Sequence, residues 1–239
     1  MIKSFIKTLL KKKGFSIKPY DEYIETLSVV EHDWLKKKNI KTVIDIGAGH
    51  GQYSKKLKAI FTDIEIFSFE ALPEQYEELL KNHGADSSKH HFYNILLSNK
   101  SEEITFFKSS NLGSSSMLNM DNNHKEAYPE SSNLSPLKLQ AQLLDDVLGK
   151  RDLKKNILLK LDVQGAEKKV LEGAKNILAQ STLIFIELSF IKLYEGQPLI
   201  NEMIDFLQSA GFALIGIDNV SHDLRDGKYL QCDAYFEKR

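Results

Sequence analysis

The run Val43-Ile44-Asp45-Ile46-Gly47-Ala48-Gly49-His50-Gly51-Gln52 constrains this chain more than any other stretch. Lys41 to Ile46 is short, β-branched and apolar, which suits a strand buried in a parallel sheet. Gly47, Gly49 and Gly51 permit backbone angles and close approaches that side chains would block. Tyr53, Leu57, Ile60 and Phe61 then recur at helical spacing, so a helix follows. Strand, glycine turn and helix N-terminus, in that order, predict a nucleotide-type ligand site at the carboxyl edge of a parallel sheet.

The glycine spacing narrows the ligand. A dinucleotide site reads G-x-G-x-x-G. Here the run is G-x-G-x-G, with Gly51 four residues after Gly47. Asp45, just ahead of the turn, would repel a pyrophosphate but suits an ammonium group or a positioned water. The run resembles the first motif of S-adenosylmethionine-dependent methyltransferases. An ordinary strand-to-helix turn is the alternative. Three alternating glycines argue against it, because each weakens a helix start by up to about 1 kcal/mol.

The 239 residues suffice for one α/β domain with a sizeable core. A net charge of −1 demands neither nucleic acid nor an acidic polymer as partner. The single cysteine, Cys232, excludes an internal disulfide framework and multi-cysteine metal clusters. No apolar run is long enough for a spanning helix, and no cleavable signal peptide is evident, so a cytoplasmic protein is expected.

Residues 1–39 read as an N-terminal helical extension and residues 40–239 as the main domain. Within the extension, Ile2, Phe5, Ile6, Leu9 and Leu10 share one helical face ringed by Lys3, Lys7, Lys11, Lys12 and Lys13. That is a surface helix, with weak contact to an anionic membrane surface as the alternative. Tyr20 to Lys38 reads as a second helix with Tyr23, Ile24, Leu27, Val30, Trp34 and Leu35 on its apolar face.

Ile64 to Phe69 is the second strand, ending in Glu70 nineteen positions after Gly51. A carboxylate there accepts hydrogen bonds from ribose hydroxyls in doubly wound nucleotide-binding folds. Pro73 suits the first turn of the next helix. His91 to Leu97 is a third strand, and Glu103 to Phe107 is expected to pair with it. Asn94 stands where a side chain could approach the adenine or ribose. Ser109 to Ser135 is rich in serine, asparagine and glycine. It reads as a lid or substrate loop, with residues 120–135 poorly ordered and His124 solvated. Asp145 and Asp146 suit the start of a short helix better than a metal.

Asn156 to Leu161 is a further buried strand, and Asp162-Val163-Gln164-Gly165-Ala166-Glu167 turns into a helix with Val170, Leu171, Ala174, Ile177 and Leu178 on its apolar face. Asp162 therefore stands at the carboxyl end of a central strand, where open sheets hold ligands. Lys160 shares its face and is expected to pair with it. Thr182 to Ile186 is another strand, ending in Glu187. Leu199 to Ser209 is a helix, and Gly211 to Ile217 and Tyr229 to Phe236 are the last strands.

Lys160-Leu161-Asp162-Val163-Gln164-Gly165-Ala166-Glu167, followed by Val170-Leu171-Glu172-Gly173-Ala174, resembles the hallmark of FkbM-type methyltransferases. That family commonly has glutamate where Gln164 stands. The resemblance extends through Val43 to Gly51, Phe69-Glu70, Asn94 to Ser98, Leu144 to Asp146, Ile186-Glu187 and Asp233 to Phe236, covering roughly residues 40 to 237. It implies an α/β class I methyltransferase fold of Rossmann-like type: a seven-stranded, mostly parallel sheet with the last strand antiparallel and helices on both faces. It also implies S-adenosylmethionine as cofactor and O-methylation of a small-molecule or glycan acceptor, a sugar or secondary metabolite. Asp45, Gly47, Gly49, Gly51, Tyr53, Glu70, Ala71, Asn94 and Asp162 are the expected cofactor residues. Asp162, Glu187 and Lys160 are expected at the chemistry. A hydroxyl acceptor must lose its proton, to a carboxylate or histidine base or with help from a divalent metal such as magnesium. A non-catalytic methyltransferase-like binding module is the alternative, but it would be expected to damage the cofactor residues, and none is damaged.

Overall fold

The computed structural model describes residues 32–84 and 88–239. The predicted amphipathic helix at residues 1–13, and the predicted second helix up to residue 31, lie outside the described residues. Asp33–Lys38 forms a short 3-10 helix whose Leu35 is buried against the sheet.

The sheet grows outward from β1 (Thr42–Ile46), all five residues of which are buried. In chain order, β1 is followed by α1 (Gln52–Ile60), β2 (Glu65–Glu70), α2 (Pro73–His83) and β3 (His90–Asn94). β7 (Ile157–Leu161), β8 (Ser181–Ser189), β9 (Phe212–Asp218) and β10 (Gln231–Lys238) complete it. The spatial order is β3-β2-β1-β7-β8-β10-β9. β1, β2, β3, β7 and β8 pair in parallel, and β10 runs antiparallel to both β8 and β9. This is the class I methyltransferase plan, with the chain's final strand antiparallel.

Alternation along each strand feeds two cores. Ile44, Ile46, Leu159, Leu161, Ile184 and Ile186 point to one face. There they meet α4 (Leu144–Leu148), α5 (Glu167–Glu172), α6 (Lys175–Gln180) and α7 (Ile200–Ser209). Val43, Ile66, Leu158, Leu183 and Phe185 point to the other, against Leu57 and Ile60 of α1. A layer with helices on both sides buries both faces of the strands, which is why they read as continuous apolar runs.

The structure corrects five expectations. Glu103–Ser109 (β5) does not pair with the third strand. It pairs antiparallel with β6 (Leu134–Gln142), and β6 pairs parallel with β4 (Leu96–Leu97) in a separate three-stranded sheet. The third strand stops at Asn94, whose side-chain amide donates to the carbonyls of Glu70 and Ala71. The insertion is regular rather than disordered: it holds 3-10 turns at Leu112–Ser114 and Pro129–Ser131 around α3 (Asn122–Ala127). His124 is buried, its ring packed on Tyr194. Finally, the helix after Gln164 is two helices, broken at Gly173, where a Cβ would strike the Ser98 carbonyl.

Candidate active site

Gly47, Gly49 and Gly51 turn the chain from β1 into α1, all with positive φ. At Gly47 the requirement is twofold, a left-handed backbone and contact with the Asp162 carbonyl, which a Cβ would strike. The amides of Gly47 and Ala48 donate to the Phe69 carbonyl, and Gly51 offers its own carbonyl to His83 Nε2 at 3.0 Å. Burial holds His83 below its ordinary pKa, so its neutral ring donates there.

Below the turn lies a buried polar row. Asp45 and Lys160 are register partners on β1 and β7, and their charged groups are 3.1 Å apart. Ser54 of α1 donates to the second oxygen of Asp45 at 2.9 Å. Burial opposes the charge on Lys160, but Asp45 and then Asp162 outweigh it and hold the ammonium above its ordinary pKa. Lys160 Nζ also donates to the Gly47 carbonyl at 2.7 Å. Asp45 is wholly buried and does not line the cavity above, so it acts on the turn through Lys160 and Ser54.

That cavity has a volume of about 890 Å³ and opens at the carboxyl edge of the sheet. Gly47, Gly49, Tyr53, Glu70, Ala71, Lys160 and Asp162 all line it. Tyr53 stacks on Phe185, with centroids 4.9 Å apart. Glu70 accepts from the amides of Gly49 and Leu72, both at 2.9 Å, one on each carboxylate oxygen. Burial pushes the Glu70 pKa up, and those amides oppose the shift. A carboxylate has about four acceptor positions, so Glu70 keeps capacity for a hydroxyl donor. Phe106, Leu112, Gly113, Ser115 and Met117 form the opposite wall, so the insertion roofs the cavity. Asn94 is exposed and lies outside the lining, its amide committed to backbone. Gly51 is likewise outside it.

The structure separates Asp162 from Glu187. Asp162 lines the cavity, with its side chain 42% exposed. Its Oδ1 accepts from Gln164 Nε2 at 2.9 Å, while Oδ2 lies 3.9 Å from Lys160 Nζ. Glu187 lies two residues short of the end of β8 and outside the lining. Both of its oxygens accept from glutamine amides, Oε2 from Gln164 at 3.0 Å and Oε1 from Gln231. Burial pushes its pKa well up, reinforced by the carboxylates of Asp162, Glu167 and Asp233. Asp233 is the register partner of Glu187 and lines the cavity, and burial raises it to about 6. Among the described residues no group of three or more His, Cys, Asp or Glu side chains is arranged to hold a metal ion.

Two residues of this cluster escape sequence reasoning. Asp233 shows in the sequence only as the first residue of the Asp233 to Phe236 block, with nothing to place it beside Glu187. Gln164 shows only as a glutamine where glutamate is common.

Residues 45–214 match the family model described as the methyltransferase FkbM domain. The chain is 26% identical over 181 residues to the 2-O-methyltransferase NoeI of Sinorhizobium fredii, covering 73% of this chain and 74% of that one. Solved structures similar to it include magnesium protoporphyrin IX methyltransferase (ChlM) from Synechocystis with bound SAM. That match has a TM-score of 0.48 and 9% identity, over 90% of this chain and 79% of the other. A putative RNA methyltransferase from Pyrococcus horikoshii matches with a TM-score of 0.45 and 14% identity, over 90% and 81%.

Proposed function

Because the chain belongs to the FkbM methyltransferase domain family and is an S-adenosylmethionine-dependent methyltransferase, we propose that it methylates a hydroxyl oxygen of a sugar, glycan or secondary metabolite, with Asp162 as the base. The observation that carries the base assignment is that Asp162 lines the cavity while Glu187 does not, and that Asp162 Oδ2 is the one carboxylate oxygen of the pair that accepts no hydrogen bond among the described residues, with Lys160 Nζ 3.9 Å away. The residues around the cavity suit the cofactor. The left-handed glycines Gly47 and Gly49 present their backbone to the cavity, and the acceptor oxygens of Glu70 suit a ribose diol. Gly47, Gly49, Tyr53, Glu70 and Ala71 would hold it.

When bound, S-adenosylmethionine supplies a methyl group activated by its sulfonium, and sulfur keeps the carbon–sulfur electron pair as an acceptor oxygen takes the methyl. An alkyl hydroxyl is a poor nucleophile until its proton leaves. Asp162 Oδ2 accepts that proton. Lys160 stays charged beside it and fixes the glycine turn through the Gly47 carbonyl.

The test is transfer of tritium from S-adenosyl-[methyl-³H]methionine to a panel of neutral methyl glycosides, with the product analysed for an O-methyl ether. Transfer that needs a free hydroxyl supports the reading. Transfer only to amines or carboxylates in a wider panel contradicts it.

A further inference from the structure

Gln164 is the residue around which the polar cluster is wired. Its Nε2 donates one N–H to Asp162 Oδ1 at 2.9 Å and the other to Glu187 Oε2 at 3.0 Å. Its Oε1 faces the Tyr194 hydroxyl at 2.9 Å. The two acids fix which way the amide points, because their oxygens take the donor end, which leaves the carbonyl end toward the Tyr194 hydroxyl. Burial raises the pKa of Tyr194, so it keeps that proton. The Gln164 backbone carbonyl accepts from Ser116 Oγ at 2.7 Å, and the single Tyr194 hydroxyl proton is shared between Gln164 Oε1 and the Ser114 carbonyl, each at 2.9 Å. Tyr194 is itself held, because Gln197 Oε1 accepts from the amides of Leu193 and Tyr194. Through its side chain Gln164 thus touches residues near the ends of two central strands and Tyr194, and through its backbone it touches Ser116.

The backbone of Gln164 is left-handed, with φ +54°. That conformation is costly for a residue other than glycine or asparagine. Local propensity does not favour glutamine there, so the reason for it lies in the side chain.

We infer that Gln164 is a positioning residue for methyl transfer: its amide binds one oxygen of Asp162 to Glu187 and so aims the other at the acceptor hydroxyl. The inference rests on the reading of Asp162 as the base. Glutamine suits the task because it joins two carboxylates with two donors and no charge. A glutamate in its place would have no N–H to offer either acid and would set a negative charge against Asp162. Glu187, with both oxygens occupied, anchors the amide and does not itself take the proton.

Gln164→Asn is the informative variant. Asparagine accepts a left-handed backbone readily, so the turn is kept. It is one methylene shorter, so its amide does not span from Asp162 to Glu187. With the glycoside found by tritium transfer, kcat should fall roughly 10- to 100-fold, the cost of misplacing a reacting group. The dissociation constant for S-adenosylmethionine should stay within about twofold, since Gln164 touches none of the residues assigned to the nucleoside. Tyr194→Phe should lower kcat less, and the double variant should be no slower than Gln164→Asn alone, as for residues acting in one chain. Unchanged kcat, or independent multiplication of the two effects, overturns the inference. A second readout needs no acceptor: crystal structures of the parent and Gln164→Asn proteins with S-adenosylhomocysteine. The parent should show Asp162 in one rotamer on Gln164, and the variant should release it. An Asp162 rotamer identical in both overturns the inference even if no glycoside is methylated, an outcome that would count against the acceptor reading alone.

Discussion

Glu167 is a buried carboxyl that the proposed chemistry does not use. One of its oxygens accepts from the amides of Val163 and Gly165 at 3.0 and 3.2 Å, closing the turn between Asp162 and α5. Burial pushes its pKa up to about 7 from 4.5, against the pull of those amides. The unfolded carboxyl therefore loses its proton near pH 4.5 while the folded one keeps it until about pH 7. Between those values the unfolded chain binds fewer protons, so stability falls as pH rises, by about 3 kcal/mol across the window. Glu167→Gln retains the accepting oxygen and has nothing to titrate. Urea unfolding at pH 5 and pH 7.5 should show the parent losing about 2 kcal/mol more than the variant. Equal pH dependence in the two proteins would contradict the assignment.

At the level of elements, helix ends are secured by distant residues. Asp145, in the first turn of α4, caps α6 instead: its two oxygens accept from the amides of Asn176 and Ile177 at 2.8 and 3.0 Å. Asp145→Ala should cost about 0.5–2 kcal/mol in chemical denaturation, the usual value of an N-cap. Cofactor affinity should not change, because α6 packs on the sheet face opposite Lys160 and Asp45. A weakened affinity at unchanged stability would show a different role. The acid at a helix start was legible in the sequence, but its helix was not. The partner lies thirty residues on, and spacing rules see only neighbours. The break at Gly173 hides for the same reason, since the Ser98 carbonyl that demands it is remote in sequence. Periodicity did reveal β1, β2, β7 and β8, because strands buried on both faces must be apolar throughout. It misplaced the partner of β5, since edge pairing leaves little trace in a single strand.

Across the whole molecule, the parallel order brings the carboxyl ends of β1, β2 and β7 to one edge, where the cavity opens. The glycine turn, Glu70 and Asp162 were readable because each stands at a strand end in the expected order. The difference between Asp162 and Glu187 was not readable: both are acids near strand ends, and only the amides of Gln164 and Gln231 tell them apart. The central claim is that Asp162 takes the acceptor's proton and Glu187 only holds its orientation. Turnover at saturating S-adenosylmethionine, compared between Asp162→Asn and Glu187→Gln with the glycoside found by tritium transfer as acceptor, tests it most directly. Asp162→Asn should lose roughly 10²–10⁴-fold in kcat, as for loss of a general base, and Glu187→Gln should lose about tenfold, as for a small misalignment. Full activity in Asp162→Asn, or a loss in Glu187→Gln as large as that expected for Asp162→Asn, would contradict the account.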